Sequence, residues 1–290
     1  MKNYLFFLLI SFTISIQSFS QEIYGSIDVK KQKIDVIYDY SCLEFDSDYG
    51  TNKTLTTLGD LTRDIQEGIK DINGVKFTVA DQMEFGNYCL ENYWTKDFDI
   101  DNNGSEYRKL NLILNDLVRR LAVPTGIEYK IHYVKSDILN AYAAVGGHIF
   151  VNSALYDYVQ NDSELAAVIA HEIAHIELGH VADYFEKMFV AKSLGVSSEI
   201  TQIMLGFEKN LFKSFNQKQE AEADLFGIDI LFPTAYSKCA SIKFWERLAR
   251  DERESNVIGN LLRSHPYSKV RAFCIEKHLV SNYKYKCDCV

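Results

Sequence analysis

The stretch His171-Glu172-Ile173-Ala174-His175 lies within Ala166–Ile176, an apolar run without glycine or proline. Such a run predicts a buried helix. Histidines four residues apart lie one turn apart on the same helix face, where two imidazoles can bind one zinc ion. Glu172 is placed to take a proton from a water molecule at the metal. The alternative is a chance HExxH on an ordinary helix, but two histidines and a carboxylate in apolar surroundings cost free energy unless a metal compensates.

The acidic stretch Gln219-Glu220-Ala221-Glu222-Ala223-Asp224 offers candidates for the ligand that HExxH lacks. Glu220 and Asp224 share one helix face, whereas Glu222 points about 200° away from Glu220. One of the two carboxylates can bind zinc while the other hydrogen-bonds a ligand histidine from behind. The alternative is a solvated acidic face, but the interleaved alanines and the following Leu-Phe-Gly favour burial.

The helix that carries HExxH is predicted to start near Ser163, after a capping residue at Asn161, and to run past His180, to about Ala191. On a continuous helix, His180 lies about 180° around the axis from His171. We therefore expect His180 to point away from the metal.

Residues 127–151 predict a small sheet, because two extended runs there are separated by Gly146-Gly147, which is a hairpin signal. The predicted strands are Ile127–Val134 and His148–Val151, with Leu139–Ala144 leading into the turn. Helical spacing predicts the other main elements, at Thr57–Ile72, Gln82–Tyr93, Glu106–Leu121, Gln217–Leu231, Ser237–Arg250 and Ser268–Leu279.

The N-terminus predicts export. Lys2 precedes an apolar segment, Leu5–Ile16, and Ser18-Phe19-Ser20 has small residues where a signal peptidase cleaves, so we expect cleavage after Ser20. The apolar segment is shorter than the roughly 20 residues that a membrane span needs. An uncleaved anchor is the alternative.

Six cysteines follow this segment, and an even number in an exported chain favours disulfides. Cys42 with Cys89 is the expected pair, since both lie in the N-terminal part. Cys287-x-Cys289 could instead chelate a metal, although two thiols alone make a poor site. The net charge of -9 excludes the basic surface of a nucleic-acid-binding protein. No basic amphipathic stretch is present for binding anionic lipid. The expected partner is a peptide or unfolded protein substrate; no integral membrane segment is expected after signal cleavage, and peripheral membrane association is an alternative.

The chain resembles the HtpX, BepA and LoiP family of zinc metallopeptidases, which also contains the type I CaaX prenyl protease. Four motifs in this order carry the resemblance, over roughly residues 106 to 275. They are HExxH at His171–His175, ExxAD at Glu220–Asp224, Asn140-Ala141-Tyr142-Ala143 with Gly146-Gly147, and His265-Pro266 with Arg271.

The resemblance implies an α+β fold, a mainly helical zincin-type domain with a small sheet or hairpin edge beside the active-site helix. It implies one zinc ion bound by His171, His175 and Glu220. Glu172 is then the general base, and Asp224 holds a ligand histidine from behind.

The same resemblance implies that residues 143–151 pair with an extended peptide, with Ala143, Gly146, Gly147, His148 and Ile149 as substrate-binding residues. His265 corresponds to a catalytic histidine that is either a fourth zinc ligand or a transition-state donor. Its alternative role is a capping residue beside Pro266. Arg271 is expected to anchor this loop to an acidic group.

These inferences divide the chain into a signal peptide (1–20), an N-terminal extension of unknown role (21–104), a zinc metallopeptidase domain (105–280) and a cysteine-containing tail (281–290). The expected function is an exported, periplasmic or secreted metalloendopeptidase that cleaves unfolded or misassembled proteins. A non-hydrolytic protein that holds exported clients in the same cleft is the alternative. A purely structural zinc site is a third interpretation, although such sites usually have four protein ligands, often cysteines.

Overall fold

The computed structural model of the protein describes residues 27–29, 32–34, 36–45, 77–122, 124–183, 186, 215–251, 265 and 268–287. The predicted signal peptide and the predicted helix at Thr57–Ile72 lie outside these residues. The strands are β1 (Ile27–Val29), β2 (Gln32–Ile34), β3 (Lys130–Val134), β4 (Ala141–Ala144) and β5 (His148–Asn152). The α-helices are α1 (Val79–Cys89), α2 (Ser105–Val118), α3 (Ser153–Tyr158), α4 (Asp162–Glu177), α5 (Gln217–Leu231), α6 (Cys239–Asp251) and α7 (Ser268–Tyr283).

Helix α4 is the central element of this core. It begins after Asn161, whose side-chain oxygen accepts the backbone N–H groups of Ser163 and Glu164, each at 3.0 Å. Every residue from Glu164 to Ile176 is buried, because α4 packs against α2, α5, α6 and the sheet. A helix covered on all sides is apolar all round. The fold is mainly helical with a small sheet, which confirms the predicted α+β class.

The prediction that α4 continues past His180 was wrong. The helix ends at Glu177, and Gly179 adopts a left-handed conformation with φ of +77°. Glycine at this place is a common helix terminator, because it lacks the Cβ that makes positive φ costly. The chain direction therefore changes immediately before His180.

The three-stranded sheet has the order β3-β5-β4, so β5 is its central strand. β4 and β5 form the predicted antiparallel hairpin around Gly146-Gly147, and β3 pairs with β5 in parallel. Both edges of β5 are thus occupied. β3 and β4 are therefore the two edge strands; β3 has one further bridge, from Val134 to Ile100, and β4 has no strand partner on its other side among the described residues.

Residues that precede position 105 pack in the same core as the rest of the described domain. Phe85 and Trp94 are buried in it, and Gly86 of α1 lies against the β4–β5 turn, where a Cβ would come within 2.3 Å of the Val145 carbonyl oxygen. At this contact only glycine fits. Among the described residues, no helix is long and apolar enough to cross a bilayer.

Two disulfides connect distant parts of the sequence. Cys42 is bonded to Cys274 of α7, and Cys239 of α6 is bonded to Cys287. The predicted Cys42–Cys89 pair was therefore wrong, and Cys287 is a disulfide partner rather than half of a metal chelate. Cys89 is buried in the core, and Cys289 lies outside the described residues.

Two buried histidines of the sheet predict that the fold weakens in acid. His132 Nε2 lies 2.9 Å from His148 Nδ1. Burial is the main cause that lowers the pKa of His132 to about 4 and that of His148 to about 3, and the charge of Lys130 adds to it. Both values lie below those of the unfolded chain, so the unfolded state takes up more protons as pH falls below the ordinary histidine value.

The stability that depends on keeping His132 and His148 neutral is therefore complete above about pH 6.5. It declines as the pH falls from there towards the pKa values of the two histidines in the folded protein. We expect each histidine to cost about 2 kcal/mol of unfolding free energy between about pH 8 and about pH 5. Urea unfolding in EDTA at both pH values measures this loss. His132→Gln should reduce the difference between the two pH values, and an unchanged difference would contradict the assignment.

Candidate metal centre

Helices α4 and α5 meet closely at one point, and this contact places the site. A Cβ on Gly227 of α5 would lie 3.2 Å from the backbone nitrogen of His171. The absence of a side chain there lets the two helices approach closely. About one turn and two turns earlier on α5, Asp224 and Glu220 then face the histidines of α4.

Four buried side chains bring their metal-binding atoms within 4.8 Å of one another: His171, His175, Glu220 and His265. The two Nε2 atoms of His171 and His175 are 3.0 Å apart. Each lies 3.5 Å from a carboxylate oxygen of Glu220. His265 Nδ1 lies 3.2 Å from Glu220 and 3.3 Å from His171 Nε2. Three elements distant in sequence thus converge on one point.

The charge of this region suits a divalent cation. Three carboxylates, Glu172, Glu220 and Asp224, are buried there together with one guanidinium, that of Arg271. An excess of buried negative charge is costly unless a cation offsets it. Imidazole nitrogens and a carboxylate oxygen are also ligands that zinc prefers. Both the donor set and the charge therefore fit a zinc ion.

The pKa shifts at the site follow from burial opposed by close partners. Burial raises the pKa of a carboxyl group, but His265 and Arg271 together hold the pKa of Glu220 well below its usual range. Burial and Arg271 lower the pKa of His171, but Asp224 and Glu220 outweigh them and raise it to about 9. Burial, aided by the charge of His171, holds the pKa of His175 well below its usual range. Because Asp224 and Glu220 raise the pKa of His171, a proton and a metal ion compete for this side chain.

Asp224 and Arg271 contact the candidate ligands from the side away from the cluster. Asp224 Oδ1 lies 3.0 Å from His171 Nδ1, which is the position predicted for it. The Arg271 guanidinium donates two hydrogen bonds of 2.7 Å to Asp224 and lies 2.9 Å from Glu220. It also contacts the His265 carbonyl oxygen at 3.4 Å. Arg271 thereby links α5 to His265, and the acidic group that the resemblance implied for it is the pair Asp224 and Glu220.

Glu172 and His265 face the open edge of β4. The Ala143 N–H donates a 2.7 Å hydrogen bond to Glu172 Oε2. His265 Nε2 lies 3.4 Å from the Ala141 carbonyl oxygen and 3.5 Å from Glu172 Oε1. Two of the backbone groups that β4 presents away from β5, the Ala143 N–H and the Ala141 carbonyl, are thus contacted by side chains of the site.

The predicted substrate-binding residues do not all lie at this edge. Ala143 does, but His148 and Ile149 belong to the central strand β5, whose backbone groups pair with β3 and β4. Gly146 and Gly147 form the turn and pack against α1 and residue Glu128. The edge prediction is therefore corrected from residues 143–151 to β4 alone.

Three residues beside the ligands were missed by the sequence analysis. His180 was expected to point away, but it is buried with its Nδ1 2.9 Å from Nδ1 of His175. Phe215 stacks on the His175 ring at 3.9 Å, and Trp245 lies under the Arg271 guanidinium at 3.4 Å. Gly179 was the available signal for His180, since a glycine in this position commonly ends a helix.

A helix-borne HExxH, a carboxylate from a second helix and an adjacent strand edge together define a metallopeptidase domain of the zincin type. The sequence profile described as peptidase family M48 matches residues 105–278, which is more than half of the chain. The chain belongs to peptidase family M48, as the resemblance predicted.

Similar proteins come from bacteria and yeasts. Metalloprotease LoiP of Escherichia coli is 34% identical over 181 residues, which cover 58% of this chain and 69% of LoiP. The mitochondrial metalloendopeptidase OMA1 of Schizosaccharomyces pombe is 27% identical over 184 residues, 60% of this chain and 54% of OMA1. The beta-barrel assembly-enhancing protease of Escherichia coli is 29% identical over 182 residues, 56% of this chain and 37% of that protein. The match thus spans about half or less of the latter two relatives.

Proposed function

We propose that this protein is an exported zinc metalloendopeptidase that hydrolyses peptide bonds in unfolded or misassembled proteins. The convergence of His171, His175 and Glu220 beside Glu172 is the observation that carries the proposal. These three side chains would hold the zinc ion. A pure binding protein has no need of the buried carboxylate of Glu172.

A bound zinc ion would supply Lewis acidity, lowering the pKa of a water molecule and polarising the substrate carbonyl. Glu172 takes the proton of that water as it attacks the peptide carbon. Glu172 then delivers the proton to the leaving amine, so the carboxylate is regenerated. Asp224 accepts the Nδ1–H of His171 and keeps the Nε2 lone pair directed at the cluster.

The open edge of β4 is the proposed binding site for the substrate backbone. An extended peptide laid along β4 would pair with the Ala143 N–H and the Ala141 carbonyl, as in β-strand addition. In this structure Glu172 and His265 contact those two groups. A substrate that pairs with both groups must therefore displace both side-chain contacts. His265 then becomes available as a hydrogen-bond donor to the oxyanion, and Glu172 as the base.

Export is supported by two kinds of observation. The N-terminal segment has the pattern of a signal peptide. The two disulfides are typical of proteins that fold in an oxidising compartment. A periplasmic or secreted location fits both.

Metal removal tests the proposed function. The purified protein should contain one zinc ion per chain and digest unfolded casein. Dialysis against 1,10-phenanthroline should abolish digestion, and stoichiometric zinc should restore it, because the site's own side chains supply no substitute for the metal. Zinc content by mass spectrometry and casein fragments on a gel measure the two quantities. Digestion that continues without metal would exclude the proposal.

A further inference from the structure

His175 has a hydrogen-bonded partner of its own, which no part of the proposed mechanism uses. Its Nε2 faces the other candidate zinc ligands, while its Nδ1 lies 2.9 Å from His180 Nδ1. His180 Nε2 in turn lies 3.1 Å from Glu222 Oε2. An unbroken series of side-chain contacts, the relay, thus runs from the candidate metal site through His175 and His180 to Glu222.

When a metal is bound, only one assignment of hydrogens to the ring nitrogens of His175 and His180 satisfies every contact of the relay. The metal takes the Nε2 lone pair of His175, so the hydrogen must be on Nδ1. His180 Nδ1 must then accept that hydrogen, and His180 Nε2 must carry one. Glu222 accepts it, since an ionised carboxylate can only accept. Every donor in the relay thus faces an acceptor.

We propose that His180 and Glu222 are positioning residues that fix the tautomer and ring direction of the zinc ligand His175. Helix α5 provides a carboxylate for each ligand histidine: Asp224 reaches His171 directly, whereas Glu222 reaches His175 through His180. A carboxylate behind a metal-bound histidine raises its basicity and fixes its orientation. The proposal rests on the zinc site proposed above.

Two described side chains restrain the His175 ring on the side away from the cluster. Phe215 stacks on the ring at 3.9 Å and restricts its rotation, but stacking does not decide which ring nitrogen carries the hydrogen. His180 supplies the in-plane hydrogen bond and is itself buried, with 6% of its surface exposed. Glu222 is half-buried and lies 3.6 Å from Lys218 at the surface. The chain of contacts therefore runs from the surface of α5 to the metal site.

Zinc affinity, measured by competition with a chromophoric chelator, tests the proposal without relying on activity. His180→Ala should weaken zinc binding by about 10–100-fold, and Glu222→Ala by about tenfold. Glu222→Gln should stay within about threefold of the parent protein, because the amide oxygen still accepts from His180. The double variant should bind zinc no more weakly than His180→Ala alone, since Glu222 acts only through His180.

His132→Ala is the matched control, because it removes a buried histidine that is also 2.9 Å from another histidine but belongs to the sheet. It should lower the unfolding midpoint of the metal-free protein and leave zinc affinity unchanged. If the losses of the two single variants multiply in the double variant, or His180→Ala binds zinc like the parent, the proposal is overturned. Glu222→Ala provides the same answer should His180→Ala not fold. If the parent protein itself binds no zinc, the proposed function is contradicted, and not only the role of His180 and Glu222.

Discussion

Replacing Glu172 with glutamine is expected to lower kcat/KM for peptide hydrolysis by about 10²–10⁴-fold, the usual contribution of a general base. The variant should still bind one zinc ion per chain, because Glu172 is outside the proposed ligand set. Glutamine keeps the shape of the side chain and can still accept the Ala143 N–H at its amide oxygen. What it loses is the ability to take the proton of the attacking water. A fluorogenic peptide and zinc analysis measure the two quantities.

Glu177→Gln is the matched control for this experiment. Glu177 lies on the same helix but accepts hydrogen bonds from Thr125 and Tyr129, away from the metal site. Its substitution should leave kcat/KM unchanged. A Glu172→Gln protein that digests peptides within tenfold of the parent would refute the general-base role. A variant that lacks hydrolysis yet restores function in cells would favour the client-binding alternative.

Replacing Arg271 with leucine is expected to lower the unfolding free energy of the metal-free protein by about 3–5 kcal/mol, as for other buried ion pairs that lose one partner. Two buried carboxylates, Glu220 and Asp224, would lose their guanidinium. The loss should be smaller with zinc bound, because the ion then offsets part of the same negative charge. Urea unfolding with EDTA and with saturating zinc measures both values.

Arg247→Leu is the matched control, because it also removes a guanidinium from a buried ion pair but lies outside the candidate metal site. Arg247 donates two hydrogen bonds to the buried carboxylate of Glu164, so its loss should destabilise the protein by a similar amount. That loss should be the same with and without zinc. If the Arg271→Leu loss is likewise independent of zinc, the guanidinium and the metal do not share the charge of Glu220 and Asp224.

Local sequence patterns were sufficient to predict the elements that carry the site. Helical spacing placed the two histidines on one face of α4, and the spacing of Glu220 and Asp224 placed both on one face of α5. In the structure these faces meet. Prediction worked here because a helix fixes the relative direction of residues three or four apart.

The errors arose where a contact depends on the path of the chain between elements. His180 was placed by continuing a helix that Gly179 ends. His148 and Ile149 were assigned to an edge because a hairpin pattern does not reveal that β3 joins β5 on its other side. The Cys42–Cys274 bond joins residues 232 positions apart, a separation on which local patterns carry no information.

That bond has a consequence for the unfolded chain. All four residues of the candidate metal centre lie between Cys42 and Cys274, so they remain within one covalent ring when the fold is lost. Closing a ring of this size removes about 5 kcal/mol of chain entropy from the unfolded state in the simplest treatment. The ligands thus start every refolding event within a bounded volume. If the protein is exported as proposed, it refolds beyond the reach of intracellular chaperones, where this restriction on the candidate ligands would favour recovery of the site.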